Sequence, residues 1–225
     1  MIRLHFHPSP NPMKVALMLE ETGTPYEVVP VDTFRGEQHA PAFTALNPNA
    51  KVPVIESADG IVFDSNAILL HLAETTGQFL PGAGPDRIAT LSWLFFVATG
   101  LSPFSGQAVH FLHMCPEDIP YAKNRYLKEV ERHYRVMDDR LASAPWLGGA
   151  EYSIADMAAW GWLNLAGYFS GDAGLSAWPN LERMHAAISA RPAAARAHAI
   201  KDGLTLKQEF DADAAKVLFP QNVAA

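Results

Sequence analysis

The feature that most constrains this chain is a change of hydrophobic period at Leu80-Pro81-Gly82-Ala83-Gly84-Pro85. Before that break, short β-rich runs alternate with helical patterns; beyond it no stretch reads as a strand. Residues 2–6 predict a strand, closed by the turn-forming Pro8-Ser9-Pro10. Asn11 is placed to cap a helix with Pro12 at its first position, where a missing N–H costs nothing, and Gly23 with Pro25 ends it. Residues 26–31 predict a second strand, parallel to the first because a helix crosses between them. Residues 53–56 and 61–63 flank Asp59-Gly60, a hairpin signal, and Asp64-Ser65 opens a helix that stops at Gly77.

Residues 1–80 therefore form a small α/β domain, 81–85 a linker, and 86–210 an all-helical domain. In the helical part, residues 86–101 carry Trp93 and Phe96 one turn apart. A long helix near 119–144 buries Leu127, Val130, Tyr134, Met137 and Leu141 at spacings of three and four. Ser153-Ile154-Ala155-Asp156 is a capping box, Pro179 starts a further helix, and residues 211–225 read as a loosely held tail.

Composition removes several function classes. Seventeen Lys and Arg against 24 Asp and Glu leave a net charge of −7, with no basic cluster. A nucleic-acid groove or an anionic membrane surface needs a concentrated positive field, so neither partner is expected. The single Cys115 excludes an intrachain disulfide and a paired-cysteine zinc site. His110, His113 and Cys115 have plausible metal spacing but no second ligand pair, and no metal is expected. No apolar leader precedes Lys14, and the greasiest stretch, 91–101, is far short of the ~20 residues a membrane span needs. A soluble, cytoplasmic protein follows as the expectation. Phosphate-loop, dinucleotide, zinc-protease and serine-hydrolase signatures are all missing.

The order βαβ then ββα is the pattern of a thioredoxin-like domain. Redox-active domains of that kind carry C-P-x-C where the first helix begins; here Ser9-Pro10-Asn11-Pro12 stands in that register and both thiols are gone. A helix N-terminus still offers oriented N–H groups to an anion. If the domain works on sulfur, the sulfur belongs to a ligand. Val52-Pro53 sits where such folds place a cis-proline, leaving Val52 a backbone able to pair with an extended peptide. Ser65 suits a carboxylate and Asp64 an ammonium group, the two ends of a free amino acid. Taken singly, Ser9 and Asn11 are ordinary turn residues and Asp64-Ser65 an ordinary helix cap; it is their combination that points to a ligand.

Four strings carry a resemblance: residues 7–21, Asn47-Pro48-Asn49-Ala50-Lys51-Val52-Pro53-Val54, Asp64-Ser65-Asn66-Ala67-Ile68 and Tyr152-Ser153-Ile154-Ala155-Asp156. In that order they resemble the cytosolic glutathione transferase family, and Ser9-Pro10-Asn11 with Gly36-Glu37-Gln38 looks most like its bacterial Nu-class and Ure2-like branch. The resemblance implies a homodimer with glutathione as co-substrate and no permanently bound cofactor. It implies that Val52, ahead of Pro53, pairs with the cysteinyl backbone, that Asp64 and Ser65 hold the γ-glutamyl end, and that Lys51 and Gln38 lie near the glycyl carboxylate. Ser9 and Asn11 would donate to the sulfur, and Arg132 would reach the ligand from the long helix, with Arg125 and Arg135 as nearby alternatives. Asp64 stands where the family often has Glu, Pro12 where the branch often has Gly, and no tyrosine lies near the first strand. The implied activity is a glutathione transferase attacking an electrophile. A glutathione-dependent disulfide reductase is the enzymatic alternative; a thiol-ligand binding protein or a non-catalytic interaction module of the same fold is the alternative of another class.

Overall fold

A computed structural model describes residues 1–222, and its first half rests on one four-stranded sheet. Strand β1 (Ile2–Phe6) lies inside it, with Leu4 and Phe6 fully buried. Helix α1 (Pro10–Thr22) crosses over to β2 (Tyr26–Pro30), so β1 and β2 are parallel, as expected. After two short 3-10 turns, α2 (Pro41–Thr44) leads to β3 (Val54–Ser57) and β4 (Gly60–Phe63), both antiparallel to their neighbours, in the order β2-β1-β3-β4. The hairpin turn falls on Ala58-Asp59, one residue earlier than its sequence signal, because Gly60 pairs with Ser57. Helix α3 (Ser65–Thr76) covers the sheet and ends at Gly77, whose left-handed φ of 68° is readily available without a side chain.

Helix α1 starts two residues earlier than expected. Ser9 is its N-cap residue and Asn11 lies inside the first turn, because Pro10 and Pro12 both fit where no backbone N–H has a helical partner. Every residue from Pro12 to Met18 is buried, the signature of a helix covered on all sides. Packed around it are α3 and, from the helical half, α7 and α10.

The helical half begins with α4 (Gly84–Phe96), inside the segment read as a linker. A π-helical turn at Val97–Leu101 joins it to α5 (Ser102–Val109), and a second follows at His110–Met114. The chain thus stays helical through Ser92, Thr99 and Gly100, as expected, and continues past Leu101, where the expected helix ends, to Met114. The resulting run, Gly84–Met114, is long and apolar enough by length and composition to cross a membrane. Its wide turn sits just ahead of Pro103, which has no N–H for the regular ladder.

Helix α6 (Pro120–Leu141) buries Val130, Tyr134, Met137 and Leu141, whereas Leu127 is only half-buried. Helix α7 (Ile154–Leu163) is buried along its whole length. Its start is fixed by Asp156, whose carboxylate accepts from Ser153 N, Ser153 Oγ and Leu147 N at 2.8–2.9 Å. Helices α8 (Ala166–Ser170), α9 (Pro179–Ser189) and α10 (Pro192–Ala199) complete the bundle. Glu21 and Glu20 on α1 pair with Arg191, just before α10, and Arg196 within it. One apolar core runs from Leu4 in the sheet to Ala197 in α10.

The tail is not loose. Helix α11 (Ala212–Leu218), capped by Asp211, folds back onto residues 32–39. Buried Asp32 accepts from the backbone N–H groups of Phe34 and Lys207, His39 donates to the Val217 carbonyl at 2.8 Å, and Phe210 packs on Phe34. A side chain on Gly36 would meet Val217 at 3.1 Å. Residues 223–225 of the expected tail lie outside the described residues.

Candidate functional site

The site is built from three junctions between strand and helix. At the first, β1 ends and α1 begins. The Ser9 side chain makes no cap hydrogen bond, so its hydroxyl remains available in front of the helix N-terminus. Asn11 stands in the first turn, and its Oδ1 accepts from the Trp162 indole of α7 at 3.2 Å. His7, the nearest titratable group, is buried; its Nδ1 donates to the Val31 carbonyl at 3.1 Å, and burial pulls its pKa down. It lies just beyond the end of β1, with that ring nitrogen already engaged. An anion at this point meets an unpaired helix end worth ~0.3–1 kcal/mol, plus a hydroxyl and an amide.

At the second junction the Val52-Pro53 peptide bond is cis, and Pro53 is buried. Val52 has no backbone hydrogen bond among the described residues, so its N–H and C=O are open to an extended ligand. Asn47, almost fully buried, holds the approach loop: Nδ2 donates to the Lys51 carbonyl at 2.7 Å and Oδ1 accepts from Asn49 N at 2.9 Å. The Lys51 side chain itself projects into solvent.

At the third junction Asp64 has a positive φ of 68° and caps α3, with Oδ1 accepting from Asn66 N and Ala67 N. Its Oδ2 has no hydrogen bond among the described residues. The residue is thus both helix cap and candidate ammonium partner, one oxygen for each task. Ser65 opens the helix, buried but with no intramolecular bond to its hydroxyl among the described residues.

Beneath this junction lies a residue the sequence reading passed over. Lys14, 0% exposed, donates from Nζ to Asn66 Oδ1 at 2.9 Å. Burial pulls its pKa down to about 7, and the Asp64 charge offsets only part of that. The available signal was a lysine inside an otherwise apolar octet, residues 12–19.

Of two expected ligand residues, one is buried and the other is paired elsewhere. Gln38 is 4% exposed, and its buried Oε1 has no hydrogen-bond partner among the described residues. The neighbouring His39 donates its Nε2 proton to Val217, so it offers Gln38 no acceptor. Arg132 projects from α6 and chelates Glu129 with Nε and Nη2 at 3.0 and 2.9 Å. Arg125 holds the other oxygen, and the two guanidinium groups pull the Glu129 carboxyl down to about 2. Arg135 has no ion pair among the described residues. Nor do three His, Cys, Asp or Glu side chains converge there to hold a metal.

Fold and site together define a thioredoxin-like protein with an unpaired backbone at Val52, a free hydroxyl at the α1 N-terminus and no thiol of its own at that end. The family model described as the N-terminal domain of glutathione S-transferase matches residues 1–74, and that of the C-terminal domain matches residues 120–212. The chain is 44% identical over 204 residues to the disulfide-bond oxidoreductase YfcG of Escherichia coli (strain K12), covering 88% of this chain and 94% of that protein. It is 36% identical over 211 residues to YghU of the same organism, also named a disulfide-bond oxidoreductase, with 87% and 73% covered. Among solved structures, a Burkholderia graminis glutathione transferase with two glutathione molecules bound per subunit superposes with a TM-score of 0.82 at 37% identity, covering 88% and 87% of the two chains. A Pseudomonas putida glutathione transferase with one glutathione disulfide bound per subunit gives 0.82 at 33% identity, covering 87% and 90%. The chain belongs to the glutathione S-transferase family.

Proposed function

We propose that this chain binds glutathione, holds its sulfur as a thiolate over the N-terminus of α1, and directs that thiolate at small disulfides and, more weakly, at electrophilic carbon. The observation that carries the reading is the free Ser9 hydroxyl at an unpaired helix end, with Asn11 beside it. A thiol with a pKa near ~8.5 is mostly protonated at neutral pH, and lowering it by two units takes about 2.7 kcal/mol of preferential thiolate binding. One or two hydrogen bonds to a charged sulfur, at ~1.5–3 kcal/mol each, together with the helix end, reach that size. Val52 pairs with the cysteinyl backbone, while Asp64 Oδ2 and Ser65 receive the amino and carboxylate ends of the γ-glutamyl group. Lys51 faces the glycyl carboxylate. Gln38 and Arg132 join only by leaving the surroundings described above.

In disulfide reduction the thiolate attacks one sulfur of R–S–S–R, forming a glutathione mixed disulfide and releasing RS⁻, which takes a proton. A second glutathione thiolate attacks the glutathione sulfur of that intermediate, giving glutathione disulfide and the second RSH. Two named disulfide-bond oxidoreductases among the relatives, and structures of relatives with two glutathiones or one glutathione disulfide, support this order of preference. We expect turnover of 2-hydroxyethyl disulfide with weak activity on chlorodinitrobenzene, and Cys115→Ser leaving both rates unchanged. A large loss of disulfide reduction in that variant, with its fold intact, contradicts the reading.

The same reading makes the protein a cytoplasmic homodimer. Ile61 and Phe63 on β4, with Ile88 and Phe95 on α4, are large apolar side chains left exposed by one chain. Sedimentation should give a dimer; a monomer at micromolar concentration contradicts this part.

A further inference from the structure

The Trp162 indole reaches Asn11 from the other half of the molecule, and its chemistry fixes what Asn11 can do. An indole nitrogen only donates, so the atom of the Asn11 amide at 3.2 Å is its oxygen. The amide nitrogen, with two N–H groups, is thereby turned away from α7. It has no hydrogen-bond partner among the described residues, and it stands in the first turn of α1. Without the indole, the amide can turn over and present its oxygen, an acceptor that repels a thiolate. The approach of α7 is itself set by sequence. Gly161 precedes Trp162, and a Cβ there would lie 2.4 Å from the Pro10 carbonyl oxygen and 3.4 Å from Lys14 Cβ. The missing side chain lets α7 lie against the first turn of α1, and Trp162, only 7% exposed, is wedged at the contact.

We infer that Trp162 is a positioning residue for thiolate formation, holding the Asn11 amide so that its N–H groups face the sulfur of bound glutathione. The inference rests on the reading that Asn11 donates to that sulfur. The helical half, on this account, contributes to the ionisation of the thiol and not only to the shape of the site.

The test is the pKa of the bound glutathione thiol, read from thiolate ultraviolet absorbance in the full-length protein saturated with glutathione. Asn11→Ala should raise it by about one unit, the size of a hydrogen bond to a charged group. Trp162→Phe, which keeps an aromatic ring and removes the N–H, should raise it by about half as much, because a freed amide still donates part of the time. The double variant should match Asn11→Ala alone, and the glutathione dissociation constant should change less than twofold in Trp162→Phe. If Asn11→Ala raises the pKa while Trp162→Phe does not, or if the two effects add, the positioning role is wrong and the reading of Asn11 stands. If Asn11→Ala itself changes nothing, the underlying reading falls and the inference with it. Should Trp162→Phe unfold, replacing Trp162 by benzothienylalanine, which keeps the indole shape and removes the N–H, reads the same bond. The pKa should rise by the same amount; an unchanged pKa overturns the inference.

Discussion

Lys14 concentrates the residue-scale problem: a charge with no solvent contact, held by one amide oxygen below the mouth of the ligand site. An unfolded chain keeps the ordinary lysine value near 10.5, whereas the folded one gives up its proton near 7. Between those values the unfolded state binds more protons, so this residue makes the ligand-free protein more stable as pH rises through that window. Below it, both states are charged and the full cost of burial remains. Lys14→Met should therefore stabilise the ligand-free protein near pH 6. The gain is on the order of 2 kcal/mol once the unpartnered Asn66 oxygen is set against the lost charge. By pH 9.5 the gain should have largely vanished. Urea unfolding at both pH values checks this, and an equal difference at both would show that the buried lysine is not the titrating group.

At the scale of elements, what was legible followed local rules. The two parallel strands, the hairpin, the stop at Gly77 and the position of Val52-Pro53 were all readable because each depends on neighbours within a few residues. The start of α1 was not, since Ser9-Pro10 and Asn11-Pro12 satisfy the same capping rule and only packing of Pro10 against Gly161 separates them. Helix α11 was illegible for a stronger reason. Its hydrogen-bond partner His39 lies 178 residues from Val217 in sequence, and a seven-residue helix has little periodicity of its own. Because α11 braces the segment that carries Gln38, ending the chain after residue 206 should raise the KM for glutathione several-fold. The pKa of the bound thiol should not move, since α1 is untouched. An unchanged KM in the truncated protein would separate the tail from the ligand site.

The main apolar core is shared by the two halves, and the candidate chemistry sits on their seam. Composition and charge patterning pointed to a folded chain, but they could not show that Trp162 crosses to Asn11. Nor could they show that the helix through Gly100 continues by widening into a π-turn beside His133, whose ring leaves no room for a side chain at Gly100. Both depend on contacts between distant elements. The central claim is that this seam turns bound glutathione into a thiolate without a protein thiol. The most direct measurement is the ionisation of the bound thiol, followed by ultraviolet absorbance against pH in the parent protein and in Ser9→Ala. We expect the parent to lower it by about two units from ~8.5, and Ser9→Ala to return at least about one unit with glutathione affinity little changed. A parent complex, saturated by calorimetry, whose thiol titrates like free glutathione would contradict the account.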